Sequence, residues 1–297
     1  MKVVVLAAAL ALAACAGPLT AYHQVPVTLP RPATLTGELY LPRGPGPFPT
    51  LILLHGCGGL GANHVGWAQW LAWEGYGAFL LDSFGGRGLT RVCGDSSVLT
   101  GGARSNDVYA AARYLATLPA VDATRIGAIG WSHGGWTVLR AAALEDLYPD
   151  VRLRALVTFY AYCGDVASYR ARPPLLMLHG EADDWTPVVL CRHLADHARG
   201  ENHDVTLVAY PGAHHGFDAA NIARPTLVAE ARGGRGATIA YDPAARRDAE
   251  RRLREFLRTH LTNMGGLATG SPSPPALVAP RGTRGTPRST LDASSGR

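Results

Sequence analysis

The sequence predicts an α/β fold, with a mostly parallel central sheet and helices on both faces. Three observations carry that reading. Six short runs of branched apolar residues recur, at 51–54, 77–81, 126–129, 155–160, 175–178 and 205–210. These runs are continuously apolar rather than alternating, which marks strands buried on both faces. Segments with helical spacing stand between most of them, and strand alternating with helix is the pattern of a covered parallel sheet. Ligands bind such sheets beyond the carboxyl ends of the strands, so any chemistry is expected just after each run.

The elements follow in order along the 297 residues. The chain opens MKVVVLAAALALAACAG: one positive charge, an apolar stretch too short for a permanent anchor, then small residues. Residues 1–14 are therefore expected to be an export signal. Leu12-Ala13-Ala14-Cys15 also resembles a bacterial lipoprotein signal with Cys15 lipidated, and simple cleavage at Ala14-Cys15-Ala16 is the plainer alternative. Either way the expected location is the bacterial periplasm, with membrane attachment only through that N-terminal lipid.

Residues 25–29 and 36–41 suit antiparallel edge strands. Ser105 can cap a helix whose Val108, Ala111, Ala112 and Leu115 share one face. A second helix is expected over 137–143, and Thr186-Pro187 opens a third that runs toward Ala198. Asp242-Pro243 starts the last, and its Ala249, Leu253, Phe256 and Leu257 form an apolar stripe. Residues 219–242, with ARGGRG in their middle, have no clear period and suit a loop over the site or a poorly ordered insertion. The folded domain is expected over 20–263. The remaining 264–297, rich in Gly, Ser, Pro, Thr and Arg, reads as a disordered tail.

Charge argues against a nucleic-acid partner. The net +5 includes +3 from Arg281, Arg284, Arg288 and Arg297 against Asp292, and Lys2 supplies one more. That leaves +1 for residues 3–264, so the body of the protein is close to neutral and its charge does not support a basic nucleic-acid face. Beyond Cys15, four cysteines remain, Cys57, Cys93, Cys163 and Cys191, which allow three disulfide connectivities.

The residues after the strands hold the motifs. After 126–129 comes Gly130-Trp131-Ser132-His133-Gly134, a G-x-S-x-G between strand and helix. Glycines there leave room for a serine displayed on a strained turn. Alone the motif is weak, since serine and glycine are common wherever chains turn. After 51–54 comes His55-Gly56-Cys57-Gly58-Gly59, whose free backbone N–H groups suit either an oxyanion hole or a plain tight turn. After 175–178 the chain reads HGEADDWTP, with Asp183 and Asp184, and after 205–210 it reads PGAHHGFD, with His214 and His215. A nucleophilic serine needs a base, and the base needs an orienting carboxylate. Serine, acid and histidine in that order, each just after a strand, is the chain order of an α/β-hydrolase triad.

Taken together, LHGCGGL, LLDSFGGRG, GWSHGG, LHGEADDWTP and YPGAHHGFD resemble the dienelactone hydrolase family of the α/β-hydrolase fold, from about residue 47 to 261. The resemblance selects Asp183, three residues after the glycine of its HG pair, and His215, which precedes a small residue and an aromatic. It implies Ser132, Asp183 and His215 as catalytic residues and the backbone N–H groups of Cys57 and His133 as oxyanion donors. Arg87 resembles an arginine that holds a substrate carboxylate in the name-giving enzyme. In this fold Cys57 and Cys93 follow neighbouring strands, as do Cys163 and Cys191, so the expected disulfides are Cys57 with Cys93 and Cys163 with Cys191. The sequence departs from the name-giving enzyme in having Ser132 for its cysteine nucleophile and Gly56 for its assisting glutamate, so dienelactone is not the expected substrate.

The expected activity is therefore a serine hydrolase that cleaves small-molecule carboxylic esters or lactones through an acyl-enzyme on Ser132, with no cofactor and no metal. Trp131 and Trp185 are candidates to line the acyl pocket, although tryptophan beside a turn serves as often in packing. GWSHGG also resembles prolyl-oligopeptidase-like peptidases. A non-catalytic envelope protein that binds a ligand on the same fold is the remaining alternative.

Overall fold

A computed structural model describes residues 18–27, 32–166 and 169–262. The expected signal 1–14, Cys15 and the tail 264–297 lie outside the described residues. Eight strands form the main sheet: β1 (Leu19–Val27), β2 (Ala33–Leu41), β3 (Phe48–Leu54), β4 (Gly77–Asp82), β5 (Val121–Trp131), β6 (Leu153–Phe159), β7 (Leu175–Gly180) and β8 (Val205–Tyr210). Their order is β1-β2-β4-β3-β5-β6-β7-β8. The pairings of β1 with β2 and of β2 with β4 are antiparallel, and all others are parallel. Both expected antiparallel strands are present, but only β1 lies at the edge, since β2 pairs with β4 on its other side; β1 starts earlier than expected, at Leu19, and residues 28–29 of that expectation lie outside the described residues.

The continuous apolar runs arise because successive side chains point to opposite covered faces. Ile52 and Leu54 of β3, with Phe79 and Leu81 of β4, join a core built with α2 (Gly101–Leu115), α3 (His133–Ala142) and α4 (Val188–Gly200). Leu51, Leu53, Ala78 and Leu80 face the other way, onto α1 (Ala62–Trp73) and the last helix, Pro243–Leu257. Leu51, Ile52, Leu53 and Leu54 are all fully buried, each contributing roughly 1.5–3 kcal/mol of apolar burial.

Asp242 caps the last helix as expected, accepting from Ala244 N and Ala245 N at 2.9 and 3.0 Å. The cap of α2 is different. Thr100 Oγ1 accepts from Ala103 N at 3.1 Å, so the helix begins a turn earlier than Ser105. Ser105 lies inside it and donates to Gly102 O at 2.6 Å. Helix α1 has no counterpart in the elements expected from the sequence, because Gly66, Asn63 and His64 are weak helix formers. Its buried Trp67, Ala68, Leu71 and Ala72 supply the stability that propensity lacks.

Residues 219–242 hold a hairpin, β9 (Thr226–Val228) with β10 (Ala237–Ile239) antiparallel. Both expected disulfides are present, Cys57–Cys93 and Cys163–Cys191, with Cα atoms 4.8 and 5.2 Å apart.

Candidate active site

Strand β5 ends at Trp131 and α3 begins at His133, which leaves Ser132 alone between them at φ 54° and ψ −114°. A non-glycine residue in that region is strained by about 1–3 kcal/mol and persists only where its surroundings hold it. Here Ser132 N–H donates to Phe159 O at 2.8 Å, and Ser132 O accepts from Trp136 N at 2.9 Å. The flanking glycines are a matter of space. A Cβ on Gly134 would stand 1.9 Å from Leu54 O, and one on Gly130 would stand 2.2 Å from Gly134 O. The start of α3 is thus pressed against the ends of β3 and β5, and Ser132 is displayed above them.

The loop after β8 brings His215 to that serine. His215 Nε2 lies 2.9 Å from Ser132 Oγ, and Nδ1 lies 2.8 Å from Asp183 Oδ2, in the loop after β7. The carboxylate can only accept, so Nδ1 carries the proton and Nε2 faces the serine hydroxyl as an acceptor. Asp183 is held by three further groups. Its Oδ1 accepts from Trp185 N and Thr186 N, both at 2.9 Å, and its Oδ2 lies 2.9 Å from Thr186 Oγ1. His179 Nε2 is 3.4 Å from Asp183 Oδ2 and donates to Thr186 O at 2.6 Å. Burial alone pushes the Asp183 carboxyl up, but the electrostatic attraction of His215, the hydrogen bond from its Nδ1 and the nearby His179 ring hold it well below the usual carboxylate range. It is an anion at neutral pH.

Asp184, the neighbouring acid, points elsewhere and accepts from Thr238 N of the hairpin at 2.8 Å. The hairpin is also joined to the histidine loop, where Ala240 N donates to His215 O at 3.1 Å. Of the two acids and two histidines in these loops, the structure places Asp183 and His215 in one hydrogen-bonded chain with Ser132.

The turn after β3 closes the site from the other side. A Cβ on Gly56 would stand 3.5 Å from Ser132 Cβ, so the turn runs against the serine. His55 Nδ1 donates to Gly56 O at 2.8 Å, Val92 N donates to Cys57 O at 2.8 Å, and the bond to Cys93 pins the same residue. The N–H of His133 lies in the first turn of α3, where amides have no partner within the helix. Cys57 thus lines both cavities together with Ser132, and His133 directly follows the serine at the helix start.

Two cavities meet at Ser132. The larger, about 520 Å³, is bounded by Val92, Trp136, Tyr162, Asp165, Arg232 and Arg235. The smaller, about 340 Å³, is bounded by His64, Trp131, Tyr160, Ile222, Val228 and Ile239. Cys57, Cys93, Ser132 and Trp185 belong to both walls. Among the described residues no group of three or more His, Cys, Asp or Glu side chains is placed to hold a metal ion.

Trp185 packs on the imidazole with ring centres 4.9 Å apart, and Trp131 lines the smaller cavity with its indole N–H given to Asp218. Arg87 is elsewhere. Its guanidinium makes a bidentate pair with Asp107 at 2.7 and 2.9 Å, donates to Ser83 O at 2.7 Å and lines neither cavity. The Arg87 side chain is buried against Asp107 and away from both cavities, so the expected substrate contact at Arg87 is corrected to a buried structural one.

Asp218, the last residue of HHGFD, drew no role from the sequence. Its fully buried carboxylate accepts from Asn63 Nδ2, Trp67 Nε1 and Trp131 Nε1 at 2.7–2.8 Å and from Tyr160 OH at 2.6 Å. Trp131 directly precedes the serine, and the Tyr160 ring lies 4.5 Å from that of His215. One carboxylate therefore fixes the neighbours of both residues. Only its place in the motif could have signalled this, because its four donors come from three distant segments, α1, the end of β5 and the residue after β6.

With this geometry in hand, comparisons with known proteins give a consistent picture. The model of the dienelactone hydrolase family matches residues 35–261. An esterase, FrsA, of Escherichia fergusonii is 33% identical over 130 residues, which cover 42% of this chain and 29% of that protein. The chain thus spans under a third of the length of the curated relatives it matches. A dienelactone hydrolase-like promiscuous phosphotriesterase from metagenomic libraries superposes with a TM-score of 0.63 at 23% identity, over 81% of this chain and 98% of the other. A Porphyromonas gingivalis dipeptidyl peptidase 4 superposes with a TM-score of 0.60 at 19% identity, over 83% of this chain and 36% of the other. At these identities the structural likenesses speak for the fold, a mostly parallel sheet of α/β-hydrolase type.

Proposed function

The chain belongs to the dienelactone hydrolase family, and we propose that it is a serine hydrolase that cleaves carboxylic esters or lactones through an acyl-enzyme on Ser132. The observation that carries this reading is the hydrogen-bonded chain from Ser132 through His215 to Asp183, at the junction of two cavities. The cavities match a substrate with a group on either side of the scissile carbonyl.

The chemistry follows from the tautomer. Ser132 Oγ attacks the carbonyl carbon as His215 Nε2 takes its proton, and the carbonyl oxygen becomes an oxyanion facing the N–H groups of Cys57 and His133. The imidazolium so formed is stabilised by the ionised Asp183, which keeps its own charge throughout. His215 then returns the proton to the leaving alkoxide, releasing the alcohol and leaving the acyl group on Ser132. A water molecule, deprotonated by His215, repeats the attack, and the acid departs as Ser132 regains its proton. Trp185 and Tyr160, packed against the imidazole, keep bulk water from its faces.

Turnover of p-nitrophenyl acetate tests the reading. Ser132→Ala is expected to reduce kcat by at least about 10⁴-fold with an unchanged melting temperature, since the nucleophile is the member whose loss costs most. Retained turnover in that variant would refute the assignment. The dipeptidyl peptidase superposition gives a second reading, cleavage of a peptide bond by the same serine. Faster turnover of dipeptide anilides than of the acetate ester would favour it, and failure of a fluorophosphonate to label Ser132 would favour a non-catalytic binding protein.

The location follows as part of the same proposal. Residues 1–14 act as an export signal and Cys15 carries a lipid, with 20–263 as the catalytic domain and 264–297 as a tail. Two disulfides support an oxidising compartment. No described helix is long and apolar enough to cross a membrane. Cys15→Ser is expected to release the protein from the membrane fraction.

A further inference from the structure

Behind the turn that carries Cys57 lies a side chain that the chemistry above does not use. Arg104, in the first turn of α2, is fully buried. Its Nη1 donates to His55 O at 2.7 Å and lies 3.2 Å from His133 Nδ1. His133 Nε2 is 2.8 Å from Leu99 O, a group that can only accept, so Nε2 carries the proton and Nδ1 accepts from Arg104. One guanidinium nitrogen thus touches the carbonyl that leads into the Gly56-Cys57 turn and the side chain of the residue whose N–H opens α3.

The rest of that guanidinium is under-satisfied. Nε and Nη2 have no hydrogen-bond partner, and the ring of Phe84 lies 5.2 Å from the guanidinium carbon. Asp107, one turn along α2, gives both carboxylate oxygens to Arg87, so it and Asp82 act on Arg104 only through space, without a hydrogen bond. The imidazoles around Arg104 carry no compensating charge. Burial and the Arg104 charge push His133 down to about 3 and His55 well below its ordinary value, while burial takes His64 down to about 4. Burial lowers Arg104 itself only to about 10, so it remains a cation at neutral pH. A buried cation with two idle donors is costly to a fold and calls for a compensating role. The negative charge that develops on the substrate oxygen between Cys57 N–H and His133 N–H would supply it, because charge is worth most in a dry, preorganised site.

We propose that Arg104 is a positioning residue for the oxyanion site, tying the β3 turn to the start of α3 and setting a fixed positive charge behind both donors. Its effect passes through His55 O and His133 rather than through any contact with substrate. This rests on the reading of Ser132 as nucleophile with Cys57 and His133 as donors, so the test begins with the wild type and Ser132→Ala on p-nitrophenyl acetate. If turnover does not depend on Ser132, the underlying reading fails and not this one.

Given that dependence, three folded variants decide. Arg104→Met is expected to lower kcat by about 10²-fold with KM within about twofold, the size of effect seen when oxyanion stabilisation is lost. Binding of phenylboronic acid, which forms a tetrahedral anion on the serine, should weaken in parallel. Arg104→Lys, which keeps the charge, should recover about tenfold in kcat over Arg104→Gln, which keeps a donor without the charge. An arginine that serves only packing would lower melting temperature without this order of turnover. Arg104→Met turning over within about threefold of wild type, a change confined to KM, or Lys no better than Gln would each overturn the proposal. If Arg104→Met fails to fold, the comparison of Lys with Gln is sufficient by itself to uphold or overturn the role.

Discussion

The crest of the sheet and the hairpin above it are built on different principles. At the crest, Ser132 is fixed by two backbone hydrogen bonds, by glycines that leave no room for a Cβ, and by the turn pinned through Cys93. Each restraint is short, mostly buried and shared by two elements. The hairpin of β9 and β10 is attached instead by a few polar contacts: Asp184 with Thr238, His215 O with Ala240, and the exposed pair of Arg91 with Glu230. The crest thus determines where bonds are made, and the hairpin closes the space around them. Reaction chemistry should respond sharply to changes in the first and substrate preference gently to changes in the second.

The largest effect on this comparison is expected from Asp183→Asn. The amide offers Nδ1 of His215 a donor as readily as an acceptor, so the imidazole is no longer held in the tautomer that faces Ser132 with a free lone pair. A fall in kcat of about 10⁴-fold is expected on p-nitrophenyl acetate, with little change in KM. The same variant carries a pH signature. Because the folded protein holds Asp183 well below its ordinary 3.8, the folded state binds fewer protons than the unfolded chain in acid. The stability this contributes is complete above that ordinary value and is lost as pH falls toward the folded one. The melting temperature of the wild type should therefore stand above that of Asp183→Asn by a constant margin down to about pH 4 and fall toward it between about pH 4 and about pH 2. A gap that stays constant over that range would mean that the carboxylate is not held by its partners as described.

A pair of glycines separates the two regions by sterics alone. At Gly134 a methyl group would meet two backbone oxygens, Leu54 O at 1.9 Å and His55 O at 2.7 Å, and neither can step aside without moving β3. Gly134→Ala is expected to cost about 1–3 kcal/mol or more of stability and, by displacing Ser132 from the turn, about 10²-fold in kcat. Gly233 in the hairpin has nothing within 4 Å of such a methyl, and only its φ of +67° resists the change. Gly233→Ala should cost about 1 kcal/mol and leave kcat on the acetate ester within about twofold. Thermal melts and initial rates on the two variants read both numbers, and equal losses in turnover would erase the distinction.

The same contrast explains what could be read from the sequence. The strands were legible because burial on both faces makes their apolar runs continuous, and Ser132 was legible because its steric demands fall on Gly130 and Gly134, next to it in the chain. The order of acid and histidine was legible too, but choosing Asp183 over Asp184 and His215 over His214 took the family pattern. Contacts between distant segments left no local trace. Arg87 reads as a free cation until Asp107 is placed beside it, and Asp218 reads as a loop acid until Asn63, Trp67, Trp131 and Tyr160 converge on it. The hairpin escaped notice for the related reason that its strands are three residues each, too short for any period to show.

The smallest expected effect lies where the hairpin is held most weakly. Arg91 and Glu230 pair across the mouth of the site with side chains 56% and 41% exposed, and ion pairs so placed contribute about 0–1 kcal/mol. Glu230→Gln should therefore leave the melting temperature nearly unchanged. It should also leave kcat on p-nitrophenyl acetate unchanged, because an acetyl group is too small to fill a cavity of about 340 Å³ and to depend on the wall formed by Val228 and Ile239. A longer ester that fills the cavities does reach it, and a loosened hairpin holds such a chain less firmly, so its KM should rise by about two- to threefold. Salt provides the internal control. At about 1 M the screening length shrinks to about 3 Å, so the wild type should come to resemble the variant while the variant itself changes little. A tenfold loss of kcat on the acetate ester would show instead that the hairpin shares in positioning His215 through Ala240, and the boundary between crest and hairpin would have to be redrawn there.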